Sequence, residues 1–335
     1  MVREIGVVGA GAWGTALAKV LADKGEKVTL WCHGAACYQD ITEWRENRDY
    51  LAGVALPSNL VATQSLALTV ADKFLIICAV PSHAVREVFA EAADLIAPQT
   101  LLLCGTKGLE EFRLLTMGEL FTDILGEAHK ERLAFLSGPT FAIEVARGLP
   151  TAVTVAAGSE TVARTIQESL NTPSLRVYTS TDVIGVQIGG VVKNVIAIAA
   201  GISDGLGLGQ NARAALITRG LAEMTRLATR MGADALTLAG LPGLGDLVLT
   251  CAGDLSRNRS VGLQIGAGKS LREITGSTRS VAEGVRNTRS LFSLARRLGI
   301  EMPIVEQMFA VLYGGKKPAE AVRDLMQRSL KPEAG

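Results

Sequence analysis

From residue 4 to residue 178 the chain repeats one unit, a short apolar run followed by a longer stretch of helical periodicity. The runs fall at 4–8, 27–31, 74–79, 100–104, 133–137, 151–156 and 175–178, each too short for a buried helix. Nearly every position in them is apolar, as a strand covered on both faces requires, and the helical stretches between them supply the crossovers that parallel neighbours need. The expectation is a parallel, doubly wound sheet whose ligands lie at the carboxyl ends of its strands.

After about residue 182 the strand pattern stops. Helical periodicity runs through 184–200, 212–231, 257–265, 281–298, 302–313 and 318–328. The expected fold is therefore α/β in two parts: an N-terminal doubly wound Rossmann-type sheet over 1–181 and a C-terminal all-α domain over 182–335. A length of 335 residues suits two domains.

A net charge of +1 carries no electrostatic footprint for nucleic acid. The five cysteines, Cys32, Cys37, Cys78, Cys104 and Cys251, are odd in number and form no CxxC pair, so neither a disulfide framework nor a zinc site is indicated and a reducing cytoplasm is expected. The N-terminus goes from Arg3 directly into the first strand without a signal-peptide pattern.

Within 183–202, Lys193 is the single ionised side chain among residues that are nearly all Val, Ile, Ala or Gly. A run of this length can span a bilayer. Gln187 and Asn194 accompany Lys193 in its middle and glycines interrupt it, so a buried helix of a globular fold is expected, with no membrane span. Burial lowers the pKa of an ammonium toward neutrality, which makes Lys193 an acid/base candidate; a lysine paired with a carboxylate for architecture alone is the competing reading. On the helix Lys193 lies over Gly189 and Gly190, whose missing side chains leave room for a ligand or for another backbone.

Gly9-Ala10-Gly11-Ala12-Trp13-Gly14 follows the first strand and opens a helix expected over 15–24. In that context Gly9, Gly11 and Gly14 permit a tight turn, close approach of a pyrophosphate and close packing of helix on strand, while the helix N-terminus attracts the phosphates. At the end of the second strand, where a carboxylate would hold the ribose 2′-hydroxyl of NAD, the chain reads Trp31-Cys32-His33-Gly34. With no acid there, NADP is permitted, and His33 is either a contact to its 2′-phosphate or a plain surface residue.

Further polar groups sit at strand ends. Pro81-Ser82-His83 follows the third run, Gly105-Thr106-Lys107-Gly108 the fourth, and Ser137-Gly138-Pro139-Thr140-Phe141 the fifth, with Thr140 read as a helix N-cap. Lys107 stands either at a ligand site or in an exposed turn. In the helical half, Gly240-Leu241-Pro242-Gly243-Leu244-Gly245-Asp246 reads as a mobile loop whose acid orients a lysine or caps the next segment. Ser256-Arg257-Asn258-Arg259 caps and opens a helix with a basic first turn. Cations there oppose the helix dipole, and a phosphate bound at the free N–H groups and gripped by Arg257 would reverse the penalty.

In order and spacing, Gly9 to Ala18, Val80 to His83, Thr106 to Leu109, Ser137 to Ala142, Gly185 to Ile198, Asn211 to Glu223, Gly243 to Cys251, Ser256 to Arg259 and Val281 to Thr288 resemble the soluble NAD(P)-dependent glycerol-3-phosphate dehydrogenases, in their bacterial biosynthetic form, over essentially the whole chain. The resemblance implies reversible reduction of dihydroxyacetone phosphate to sn-glycerol 3-phosphate for glycerophospholipid synthesis, with NADP or NAD as cofactor, NADPH slightly preferred, in a homodimer without a metal. It implies Lys193 as the acid/base group, Lys107 touching substrate and cofactor, and Asp246 orienting Lys193. Gly138, Thr140, Asp246, Ser256, Arg257 and Asn258 become substrate contacts. Ala12, Trp13, His33, Ala142, Arg257, Val281 and Glu283 become cofactor contacts, with Ala12 standing where many relatives have Ser. The glycines under Lys193 become space for a small substrate. A two-domain NAD(P)-dependent hydroxy-acid dehydrogenase, which needs no phosphate site at Arg257, is the alternative enzyme, and a non-catalytic nucleotide sensor the alternative of another class.

Overall fold

A computed structural model describes residues 2–276, 282–330, 332 and 333. Eight strands, β1 Glu4–Val8, β2 Lys27–Trp31, β3 Leu60–Thr63, β4 Leu75–Cys78, β5 Leu101–Cys104, β6 Leu133–Ser137, β7 Thr151–Ala157 and β8 Leu175–Ser180, form one sheet in the order β3-β2-β1-β4-β5-β6-β7-β8. Helices α1 Ala12–Asp23, α2 Ala35–Trp44, α3 Leu66–Val70, α4 Val85–Ala92, α5 Met117–Leu125, α6 Ala142–Ala146 and α7 Glu160–Leu170 connect them. Winding reverses between β1 and β4, so a crevice opens beyond their carboxyl ends.

The sheet differs from expectation in two places. β7 runs antiparallel to β6, with Phe135 opposite Ala156. The reason lies in α6, whose five residues rise only about 7.5 Å and cannot carry the chain back along a strand of roughly 16 Å. The chain therefore turns at the carboxyl edge and enters β7 from that end. β3 is a four-residue edge strand with Val61 turned to solvent, too short and too little buried to stand out in sequence.

Beyond Ser180 the chain is helical: α8 Val183–Gly205, α9 Gly209–Arg230, α10 Ala235–Ala239, α11 Asp246–Ala252, α12 Arg257–Gly266, α13 Leu271–Gly276, α14 Glu283–Leu298, α15 Pro303–Tyr313 and α16 Pro318–Met326. The axis of this half is α8, capped by Asp182, whose carboxylate accepts from Gly185 N at 2.8 Å. It is long and apolar enough to cross a membrane, but 83% of its most apolar window is buried inside the fold. Backbone meets backbone where α12 crosses it: a methyl built on Gly201 would lie 2.0 Å from Arg259 O, and one on Gly262 2.0 Å from Ile198 O.

Segment 240–246 is no mobile loop. Leu241–Gly245 forms a turn of π-helix continuous with α11, and Pro242 and Gly243 are buried. The same close packing answers the question of the glycines beneath Lys193. A methyl on Gly189 would lie 2.3 Å from Pro242 O, and one on Gly190 3.2 Å from the Lys107 side chain. The space they leave is filled by protein, so it is not a substrate floor.

Candidate active site

The nucleotide turn begins where β1 ends. Gly9 has φ +114°, a conformation that side-chain-bearing residues rarely adopt, and a methyl there would collide with Ala79 at 2.9 Å, so the turn can press against the end of β4 only as glycine. Asn47, fully buried, donates to Ala10 O and to Thr15 Oγ1, each at 2.8 Å, and so fixes the turn from below. The turn fits a dinucleotide. No side chain caps α1, a methyl on Gly11 would meet nothing within 4 Å, and the buried Trp13 Nε1 has no partner. Ala12 is the first residue of α1; Ala142, first in α6, packs into the same small cluster as Trp13. His33 is exposed past β2, its ring edge-on to Trp31 at 5.6 Å between centroids.

Across the crevice stands a buried ionic cluster drawn from three elements. Lys193 of α8, 6% exposed, pairs with Asp246 Oδ1 at the start of α11 and donates to Thr250 Oγ1 at 3.0 Å. Lys107, from the loop after β5, reaches the other oxygen of the same carboxylate at 2.6 Å. Burial is the main force on Lys193 and, with the Lys107 charge, outweighs Asp246 to bring its pKa down to about 7. Asp246 is fully buried, which opposes its charge, yet the two ammonium groups hold its carboxyl below the ordinary range. Two cations on one carboxylate leave a local excess of positive charge, suited to a developing oxyanion. Thr250, one turn after Asp246, also donates to Asp246 O at 2.6 Å. Its i+4 spacing was the available signal, hidden because α11 lacks a visible hydrophobic stripe.

Around this cluster the loop after β6 brings Gly138 at φ +142° and Thr140. Thr140 is not the N-cap of α6, a position held by Phe141; its hydroxyl turns back to donate to Gly138 O at 3.2 Å. At the head of α12, Ser256 caps as expected, accepting from Arg259 N at 3.2 Å. Arg259 turns to Asp204 at 2.8 Å and Asp254 at 2.9 Å, so acids balance part of the basic first turn, while Arg257 is exposed. Asn258 donates to Asn194 Oδ1 at 2.8 Å and accepts from Gly284 N at 2.9 Å, tying α12 to α8 and α14. Glu283 opens α14 with its carboxylate on the Ser82 hydroxyl at 2.9 Å, and burial pushes its pKa up. Val281 lies outside the described residues.

A dinucleotide turn on one domain facing a buried, ion-paired lysine on the other is the arrangement of a two-domain nicotinamide-dependent dehydrogenase. The N-terminal and C-terminal models of NAD-dependent glycerol-3-phosphate dehydrogenase match residues 4–163 and 182–323. The chain is 53% identical over 333 residues, 99% of each sequence, to a glycerol-3-phosphate dehydrogenase (NAD(P)+) of Citrifermentans bemidjiense. The crystal structure of glycerol-3-phosphate dehydrogenase from Coxiella burnetii superposes with a TM-score of 0.93 at 42% identity, covering 98% of this chain and 99% of that one. The chain belongs to the NAD-dependent glycerol-3-phosphate dehydrogenase family. A D-mandelate dehydrogenase solved with NADH shares the fold alone, with a TM-score of 0.65 at 15% identity over 95% of this chain and 99% of that one.

Proposed function

We propose that the Lys193–Asp246–Lys107 cluster is the proton-transfer centre of this dehydrogenase, which interconverts dihydroxyacetone phosphate and sn-glycerol 3-phosphate with NAD(P). The observation that carries the reading is a lysine buried between two domains, ion-paired, and brought to a pKa of about 7 beside strand ends that face a dinucleotide turn. The bound nicotinamide supplies or accepts the hydride at the substrate carbon. As the carbonyl oxygen gains charge, Lys193 Nζ gives it a proton, and Lys107 stabilises the charge until the proton arrives. Asp246 keeps both ammonium groups in place, and Thr250 accepts a third hydrogen bond that fixes the direction of Lys193.

Gly138, Thr140, Ser256, Arg257 and Asn258 surround the substrate, with the phosphate held at the N-terminus of α12 by Arg257. That remote contact orients the carbonyl. Gly9, Gly11, Ala12, Trp13 and Gly14 hold the pyrophosphate through backbone N–H groups, with Ala142, Glu283 and Lys107 along the cofactor. His33 faces the ribose end, where the absence of a carboxylate supports a slight preference for NADPH. The division at 181/182 follows this split of tasks between cofactor and substrate. The resemblance to the bacterial biosynthetic enzymes supports a role in glycerophospholipid synthesis, in the cytoplasm and as a homodimer.

Initial rates with dihydroxyacetone phosphate, dihydroxyacetone and a 2-oxo acid, each with NADPH and NADH, test the reading. Arg257→Ala is expected to raise KM for the phosphorylated substrate by roughly tenfold or more, as loss of a charge-assisted contact of about 1.5–3 kcal/mol does. An undiminished preference for the phosphate ester over dihydroxyacetone would remove the phosphate role from Arg257.

A further inference from the structure

The hydride and proton transfers make no use of the cysteines, yet Cys32 and Cys37 meet inside the cofactor half. Cys32 follows β2 and Cys37 lies in the first turn of α2, and their sulfurs are 3.9 Å apart. Between them run His33 to Ala36, all exposed, across the carboxyl end of β2. That is where a doubly wound sheet receives the ribose of a dinucleotide's adenosine half. Cys37 Sγ also donates to Ala10 O of the nucleotide turn at 3.7 Å, and Cys32 N is pinned to Thr63 O at 2.8 Å. The pair therefore joins β2, α2 and the glycine turn at one point.

We propose that Cys32 and Cys37 form a reversible disulfide that lowers affinity for the dinucleotide. A disulfide brings sulfurs to about 2.05 Å, so closure draws them together by roughly 2 Å. β2 is fixed in the sheet, whereas α2 begins at Gly34 without a side-chain cap, so α2 is the part that shifts. Its movement breaks the contact of Cys37 with Ala10 O and displaces His33. The chemistry is thiol–disulfide exchange with a small disulfide RSSR. Cys37 thiolate attacks one sulfur and expels RS⁻; Cys32 thiolate then attacks the Cys37 sulfur of the mixed disulfide and expels the second RS⁻. The two thiol protons leave with two RSH, so two electrons pass from the protein to RSSR. Cys37 suits the first role, because its hydrogen bonding with Cys32 lowers its pKa and it lies in the first turn of a helix.

The other cysteines form an internal control. Cys32 and Cys37 are themselves buried, but they flank the exposed segment His33 to Ala36, whereas Cys78 and Cys104 are register neighbours held on two paired central strands, β4 and β5, and Cys251 lies in the helical core with its pKa pushed up by burial to about 12.

The inference rests on the sheet holding the dinucleotide, and its test separates the two. The full-length enzyme is titrated with oxidised glutathione, digested under alkylation and mapped by mass spectrometry, while NADPH affinity is measured by fluorescence before and after. The expected result is a Cys32–Cys37 linked peptide, affinity weakened by roughly tenfold, the effect of losing about one hydrogen bond, and recovery with dithiothreitol. Cys32→Ser, at a sulfur that touches Leu30 O and Cys37 but not the nucleotide turn, is expected to bind NADPH like the reduced enzyme and to lose the response to oxidant. Failure to form the link in folded enzyme, or a link that leaves affinity unchanged, overturns the proposal. Absence of NADPH binding by the reduced enzyme overturns the cofactor site instead.

Discussion

Lys193 and Glu223 are both buried ions of the helical domain, and burial brings both to about 7, one from above and one from below. Their surroundings differ. Glu223, on α9, accepts from Ile304 N at 2.7 Å and Val305 N at 3.3 Å, capping α15, whose own flanking residue Met302 offers no side-chain cap. Both partners are backbone amides, so the carboxylate clasps two helices. Lys193 instead shares a carboxylate with a second ammonium at the boundary with the cofactor domain. A displaced pKa marks burial, and only the partners and the crevice distinguish a proton donor from a clasp.

The contrast breaks most sharply under substitution. Lys193→Ala is expected to lower kcat by at least roughly 100-fold with dinucleotide affinity retained, as loss of a general acid does. A near-normal rate, measured by cofactor absorbance, would end the assignment. For Glu223→Ala the expectation is inverted: kcat holds, while denaturant unfolding shows a loss of about 1–3 kcal/mol from two buried amides left without an acceptor.

The pH responses sharpen the same contrast. Oxidation of glycerol 3-phosphate needs neutral Lys193 and should rise as pH increases through about 7; the reduction needs the ammonium and should fall over the same range. Lys107→Met should move both inflections upward, because the Lys107 charge helps to lower the Lys193 pKa. Stabilities slope in opposite directions. Folded Glu223 holds a proton up to about 7, above the ordinary carboxyl value of 4.5, so its contribution grows as pH falls from 7 toward 4.5. Folded Lys193 gives up its proton above about 7 while the unfolded chain keeps it to 10.5, so its contribution grows as pH rises through that window. Denaturant curves against pH for Glu223→Gln, set beside the wild type, should lack the first slope.

Much of the cofactor half was legible because its signals are local. Gly9, Gly11 and Gly14 lie within six consecutive residues, and each strand of the crevice is a contiguous apolar run. The helical half was legible only where a helix is long. α8 and α9 stand out by period, whereas α11 beyond Asp246 shows no assignable pattern because its buried positions are too few to form a stripe. Thr140 was misassigned as a cap for a related reason: the local pattern permits it, and the bend at Gly138 decides otherwise.

Composition and spacing place a charge in the most apolar helix, a glycine turn after the first strand, and an acid at 246 and a lysine at 107 within reach of chemistry. Packing in three dimensions is what gives Lys107 and Lys193 one carboxylate, brings Pro242 O and the Lys107 stem against the glycines beneath Lys193, and reverses β7. Lys107 and Asp246 are separated by 139 positions, and short-range periodicity carries no information about which distant side chains packing will bring to hydrogen-bonding distance.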